Sequence, residues 1–158
     1  MRHVFTVLVQ NEFGVLSRVS GLFSARGYNI ESLNVAPTLD PEVSRMTIVS
    51  SGDDKIIEQI LKQTNKLVTT LKVVETRELP HVQREMVLVK VKAVDAQRAE
   101  VLRIVDIFRG HVVDVTSTAY TLEITGDPEK IDTVIELLRP LGIKELVRTG
   151  VAAIARGN

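Results

Sequence analysis

The residues best placed to do chemistry are gathered in the stretch Asn11-Glu12-Phe13-Gly14-Val15-Leu16, between an apolar strand pattern at Val4–Val9 and an amphipathic helix pattern. A turn of this composition at a helix start suits a small anion. The first amides of a helix lack intrahelical acceptors, and the helix dipole places partial positive charge there. Gly14 carries no Cβ to block a ligand's approach to the main chain. Asn11 offers both a donor and an acceptor, so it could meet either the carboxylate or the ammonium group of a zwitterion. Shaping a turn accounts for Asn11 and Gly14 equally well, because turns favour both residue types.

Other candidate chemistry is sparse. The chain has no cysteine, which excludes a thiolate nucleophile, a disulfide framework and a cysteine-based zinc site. His3, His81 and His111 fall at strand starts or in a linker, with no nucleophile near them in sequence. His81 and Glu85 have a spacing that chelates metal on a helix, but Leu79-Pro80 and the strand that follows predict exposed linker residues instead. Asp53, Asp54, Asp127 and Glu129 each fall in the first turn of an expected helix, where capping explains a carboxylate. Arg148-Thr149-Gly150 and Arg156-Gly157 could touch phosphate, and surface charge on a terminal strand is the plainer reading. The glycines do not form GxGxxG or GxxxxGK spacings. Met and Phe residues fit core positions. No catalytic residue and no metal ligand is assigned, and the chain reads as a binding module.

The elements that position the turn occur twice. Residues 3–10 are apolar and β-branched, and 15–26 place Val15, Leu16, Val19, Leu22 and Phe23 on one helical face before a stop at Gly27. Strands are expected near 29–36 and 43–50 around the turn PTLDP, then a helix carrying Ile56, Ile57, Ile60 and Leu61, then a strand over about 67–77. The second half repeats this order: strand 86–92, a helix that Asp95 can cap, strands 111–116 and 119–125, a helix opened by Gly126-Asp127-Pro128, and a closing strand over 143–155. Phe108-Arg109-Gly110 echoes Phe23-Ser24-Ala25-Arg26-Gly27, and Gly126-Asp127-Pro128 echoes Gly52-Asp53-Asp54. The expected fold is α+β, two ferredoxin-like βαββαβ sandwiches spanning 1–78 and 79–158, joined near Glu78-Leu79-Pro80-His81.

Composition narrows the class. The 158 residues are 44% hydrophobic and 4% aromatic, so a core of Val, Ile and Leu is expected. Lysine plus arginine equals aspartate plus glutamate at 20 each, which argues against a nucleic-acid binder and gives no sign of a polybasic membrane anchor. No apolar run approaches membrane-span length, and no signal or transit segment is visible, so a bacterial cytoplasmic location is expected.

The run Leu16-Ser17-Arg18-Val19-Ser20-Gly21-Leu22-Phe23-Ser24-Ala25-Arg26-Gly27-Tyr28-Asn29-Ile30-Glu31-Ser32-Leu33 resembles the start of the regulatory small subunit of acetohydroxyacid (acetolactate) synthase. The similarity continues through Val35-Ala36-Pro37-Thr38, Ser44-Arg45-Met46-Thr47-Ile48, Leu88-Val89-Lys90-Val91 and Glu145-Leu146-Val147-Arg148-Thr149-Gly150. The resemblance implies an N-terminal ACT domain that senses an amino acid and dimerises, followed by a second ferredoxin-like domain. It implies a chain without catalysis of its own. That chain would activate a large catalytic subunit carrying thiamine diphosphate, Mg²⁺ and FAD, and would confer valine feedback on valine, leucine and isoleucine biosynthesis. The family's valine site lies between the ACT domains of a homodimer, and the matching positions are Asn11, Gly14, Val15 and Leu16 on the turn and Asn29 and Ile30 on the second strand. Phe13 departs from the family pattern, in which this position is often small or polar. The alternative is a freestanding ACT-type amino-acid sensor that regulates another enzyme or transcription; the sequence shows no helix-turn-helix or basic patch.

Overall fold

The computed structural model describes residues 1–157. The chain divides into two compact units, Met1–Val82 together with Val151–Asn158, and Gln83–Gly150.

The first unit contains β1 (Arg2–Gln10), α1 (Val15–Ala25), β2 (Ile30–Pro37), β3 (Val43–Ser51), α2 (Asp54–Lys66) and β4 (Thr70–Glu75), then a single 3-10 turn at Thr76–Glu78. The antiparallel sheet runs in the order β2-β3-β1-β4. Alternation along β1 sends Phe5, Val7 and Val9 to one face, where they pack with Val19 and Phe23 of α1 and with Ile57 and Ile60 of α2. Each such side chain contributes about 1.5–3 kcal/mol when fully buried. On the opposite face Val4 and Val49 pack with Val151 and Ala153.

The second unit has most of β5 (His81–Lys92), which it takes from Gln83 on, with α3 (Gln97–Ile107), β6 (His111–Val115), β7 (Ala119–Gly126), α4 (Pro128–Gly142) and β8 (Ile143–Arg148). Its strand order, β6-β7-β5-β8, is that of the first sheet displaced by one unit, so the repeat seen in the sequence is a repeat of topology. Val87, Val89 and Val91 of β5 meet Val101, Ile131 and Leu138 from the two helices. Both units are α+β sandwiches of the ferredoxin-like order. Among the described residues no helix is long and apolar enough to cross a membrane.

Several local expectations differ from the structure. The closing strand over 143–155 is two strands, β8 and β9 (Ala152–Ala155). Gly150, at φ +83°, takes a left-handed conformation between them that an L-residue adopts only with strain. Beyond it β9 pairs with β5, and the Arg156 amide donates to the Pro80 carbonyl at 2.7 Å. Residues 79–82 and 151–158 thus group with the first unit, whereas the sequence reading placed them in the second. Asp95 does not cap α3: its backbone is left-handed at φ +50°, Ala96 occupies the N-cap, and no side chain caps the helix. On α1 the buried residues are Val15, Val19 and Phe23, while Leu16 points outward. Phe5, Phe23 and Met46 are core residues as expected, but Phe13 is fully exposed.

Candidate functional site

β1 ends where neighbouring loops take over its hydrogen bonds. The Gln10 amide donates to the Thr69 carbonyl at 2.8 Å, and the Asn11 amide donates to the Glu42 carbonyl at 2.7 Å. The Asn11 side chain donates to the Pro41 carbonyl at 3.0 Å, which fixes its Nδ2; Oδ1 accepts no hydrogen bond from the described residues. Glu12 folds back, its amide donating to the Gln10 carbonyl at 2.9 Å. A surface depression lies here, lined by Gln10, Asn11, Glu12, Pro41 and Glu42.

Gly14 opens α1 from a left-handed conformation, φ +82° and ψ −3°, where an N-cap is ordinarily extended. A Cβ built on it would meet nothing within 4 Å, so the side of the turn that faces outward is open. No side chain caps α1, and its first turn holds no acidic residue. The other helix starts are compensated. Asp53 accepts from the Lys55 amide at 2.8 Å, Asp127 accepts from the Lys130 amide at 2.9 Å, and α3, though uncapped, has Glu100 in its first turn. The positive end of α1 is therefore met by no capping side chain or first-turn carboxylate. The amides of Gly14, Leu16 and Ser17 donate to no backbone carbonyl of the described residues, while that of Val15 reaches the Glu12 carbonyl at the long distance of 3.5 Å. Val15 is buried and anchors the helix start to the core, while Leu16 offers apolar surface beside the open amides.

Asn29 and Ile30 stand elsewhere. The Asn29 carbonyl accepts from the Ser50 hydroxyl at 2.8 Å, and Ile30 is the register partner of Ser50 and packs partly into the core of the first unit. The turn end of the sheet is marked by the row Val9–Ser44–Pro37. Along β3, Ser44 and Ser50 are six residues apart, about 20 Å. One chain therefore brings Asn11, Gly14, Val15 and Leu16 together and holds Asn29 and Ile30 at the far end of the same sheet.

Sequence reasoning missed three features. His3 is 2% exposed, stacked on Phe5, with Nδ1 2.5 Å from Glu75 Oε1 and Nε2 3.1 Å from Asp54 Oδ1, and Arg77 approaches the same Asp54 oxygen at 3.5 Å. Asp54 lies in the first turn of α2 as expected and in addition faces His3 and Arg77; these partners converge only through the fold. Gly52 lies against the Tyr28 ring, where a Cβ would come within 1.7 Å of a ring carbon, and the Tyr28 hydroxyl accepts from the Asp53 amide at 3.0 Å. The corresponding Gly126 faces Lys130 instead, so the Gly-Asp recurrence carries no signal for that contact. Glu85 is 5% exposed and bonded to Arg148, which also donates to Asp132 at 2.9 Å. This corrects the reading of Glu85 as an exposed linker residue and of Arg148 as loose surface charge. Burial opposes the Arg148 charge, but hydrogen bonds to Glu85 and Asp132 outweigh it and raise the guanidinium above its ordinary value. A cation committed in this way is not available to a phosphate. Among the described residues no group of three or more His, Asp or Glu side chains gathers to hold a metal ion.

Comparison with known proteins accords with the fold. A family profile described as "AHAS small subunit-like ACT domain" matches residues 5–72, and one described as "Small subunit of acetolactate synthase" matches residues 84–157. The acetolactate synthase small subunit of Aquifex aeolicus is 52% identical over 156 residues, covering 98% of this chain and 81% of that protein. The isozyme 3 small subunit of Salmonella typhimurium is 52% identical over 159 residues, covering 100% of this chain and 98% of that one. The crystal structure of the small subunit from Thermotoga maritima superposes with a TM-score of 0.89 at 41% identity, covering 100% of this chain and 99% of that chain. With an N-terminal ACT domain, the repeated sandwich and full-length similarity at this level, the chain belongs to the acetolactate synthase small-subunit family.

Proposed function

We propose that this chain is a non-catalytic regulatory subunit. It activates a large acetolactate synthase subunit and confers feedback inhibition by valine at a site completed by two copies of the ACT domain. The observation that carries the reading is the separation of the two halves of the site. The open helix tip at Gly14 and the Asn29–Ile30 strand start lie at opposite ends of one sheet. β2, which bears the second half, is an edge strand free to face another chain.

In this reading the valine carboxylate sits on the amides of Gly14 and Leu16. The Val15 amide joins them by turning from its long contact with Glu12. Asn11 Oδ1 faces the ammonium group, the partner copy's Asn29 completes the polar cradle, and Leu16 with the partner's Ile30 encloses the isopropyl group. One charge-assisted hydrogen bond contributes about 1.5–3 kcal/mol. Burial of the isopropyl group adds about 1.5–3 kcal/mol. After ordering costs, a dissociation constant of roughly micromolar to millimolar follows. Leucine and isoleucine bind more weakly rather than being excluded, since one methylene is worth only about 1–3 kcal/mol in an apolar pocket. Inhibition then requires that valine favour one arrangement of the two copies over the arrangement that activates the large subunit. Thiamine diphosphate, Mg²⁺ and FAD belong to the large subunit in this scheme.

The test is reconstitution with the cognate large subunit. Adding the chain raises turnover, and adding valine reverses the increase. A turnover rate indifferent to the chain refutes the reading.

A further inference from the structure

The three most exposed large apolar side chains among the described residues are Leu39 at 106%, Phe13 at 102% and Val68 at 94%. They come from three separate loops: β1–α1, β2–β3 and α2–β4. Topology puts all three loops at one end of the first sheet. The Asn11 amide bonds the Glu42 carbonyl, joining the first two, and the Gln10 amide bonds the Thr69 carbonyl, joining the third. Scattered exposed apolar residues are ordinary on a protein surface, but full exposure of three at one end of a domain marks a contact surface.

Charge indicates what sits there. Glu12, Asp40 and Glu42 are exposed around Phe13 and Leu39, and none forms an ion pair with a cation among the described residues; Lys66, at the end of α2, stands next to the third loop. A second copy docked symmetrically on this end would set the acidic rim of one against that of the other, because a two-fold interface repeats the same patch on both sides. The complementary partner has apolar sockets bordered mainly by basic groups, and is a different chain.

We infer that this end of the ACT domain, with Phe13, Leu39 and Val68 as anchors and Glu12, Asp40 and Glu42 as a rim, is the docking surface for the large subunit. The inference rests on the reading of the chain as a regulatory subunit. It places the docked partner on the same turn whose amides would take the valine carboxylate, so an effector there acts directly on the contact. An apolar centre that includes an aromatic side chain, bounded by a polar rim, has the anatomy of a protein–protein interface.

The experiment titrates the purified cognate large subunit with full-length wild-type, Leu39→Ser, Val68→Ser and Leu39→Met chains. Leu39 and Val68 are outside the proposed valine site, and their side chains are already in solvent, so folding is not at stake. Each Ser variant raises the dissociation constant about five- to thirty-fold. Leu39→Met stays within about two-fold of wild type, since Met is close in volume and apolarity. Valine affinity and sedimentation mass of the isolated chain do not change. If both Ser variants bind as tightly as a wild-type chain that itself binds, the docking surface is refuted and the regulatory reading survives. If instead their sedimentation mass falls, the patch joins copies of this chain and the inference is overturned. If the wild-type chain does not bind the large subunit, the regulatory reading falls and the docking surface with it.

Discussion

Asn11 and Asn29 stand at opposite ends of one antiparallel sheet, the first held by the Pro41 carbonyl at 3.0 Å and the second offering its own carbonyl to Ser50 at 2.8 Å. About 20 Å of strand separates them. A site that uses both belongs to two chains, and this consequence can be measured.

A chain carrying Gly14→Asp retains an intact strand half, and one carrying Asn29→Ala retains an intact turn half. Each variant alone loses or weakens valine binding. Mixed one to one and allowed to exchange, half of the dimers pair one variant with the other, and each such dimer has one fully wild-type site. Calorimetry should then recover about a quarter of the wild-type sites at wild-type affinity. No recovery on mixing would show that turn and strand do not meet across chains.

Gly14 can be tested for geometry apart from charge. At φ +82° a residue with a Cβ is strained by about 1–2 kcal/mol even though the space beside it is empty. Gly14→Ala should lower the melting temperature by a few degrees and weaken valine several-fold. Gly14→Asp, which puts a carboxylate where the ligand's belongs, should abolish the valine response while activation of the large subunit persists. Equal inhibition by valine in wild type and Gly14→Asp would remove the anion site.

Gly52→Ala tests a packing contact. Its new methyl would fall 1.7 Å from a Tyr28 ring carbon, so the ring must move and the bond from the Asp53 amide to the Tyr28 hydroxyl is lost. A destabilisation of about 1–3 kcal/mol is expected in urea denaturation, since overpacking is as costly as a cavity. Tyr28 leads directly into Asn29, so valine affinity should fall as well.

Arg148→Gln leaves the buried Glu85 carboxylate without its cation. Arg148 is partly solvated, which reduces the loss, and about 1–3 kcal/mol of stability is expected to go. The pH dependence follows from the direction of the shift. A guanidinium raised above its ordinary value stabilises the fold throughout the range below that value, and the contribution fades only as pH rises past it. The wild-type minus variant difference should therefore show no alkaline loss between pH 7 and 10. A difference that vanished within that range would assign the stability to another group.

The sequence by itself determined the repeated unit, most of its elements and the turn. Period-two apolar strands, a helix carrying Val15, Val19 and Phe23, and the stop at Gly27 are local properties, set by backbone sterics and by which face must leave water. The expected carboxylate caps at Asp53 and Asp127 are present for the same local reason. Tertiary structure decided what depends on residues distant in the chain. It buried His3 between Glu75 and Asp54, tied Glu85 to Arg148, and returned Ala152–Ala155 to the first unit. It also brought Phe13, Leu39 and Val68 to one end and sent Asn29 to the other. Pattern along the chain states which face a residue takes. Only strand order and register state which residues share an end, because pairing joins segments whose separation in sequence has no bearing on their distance in space.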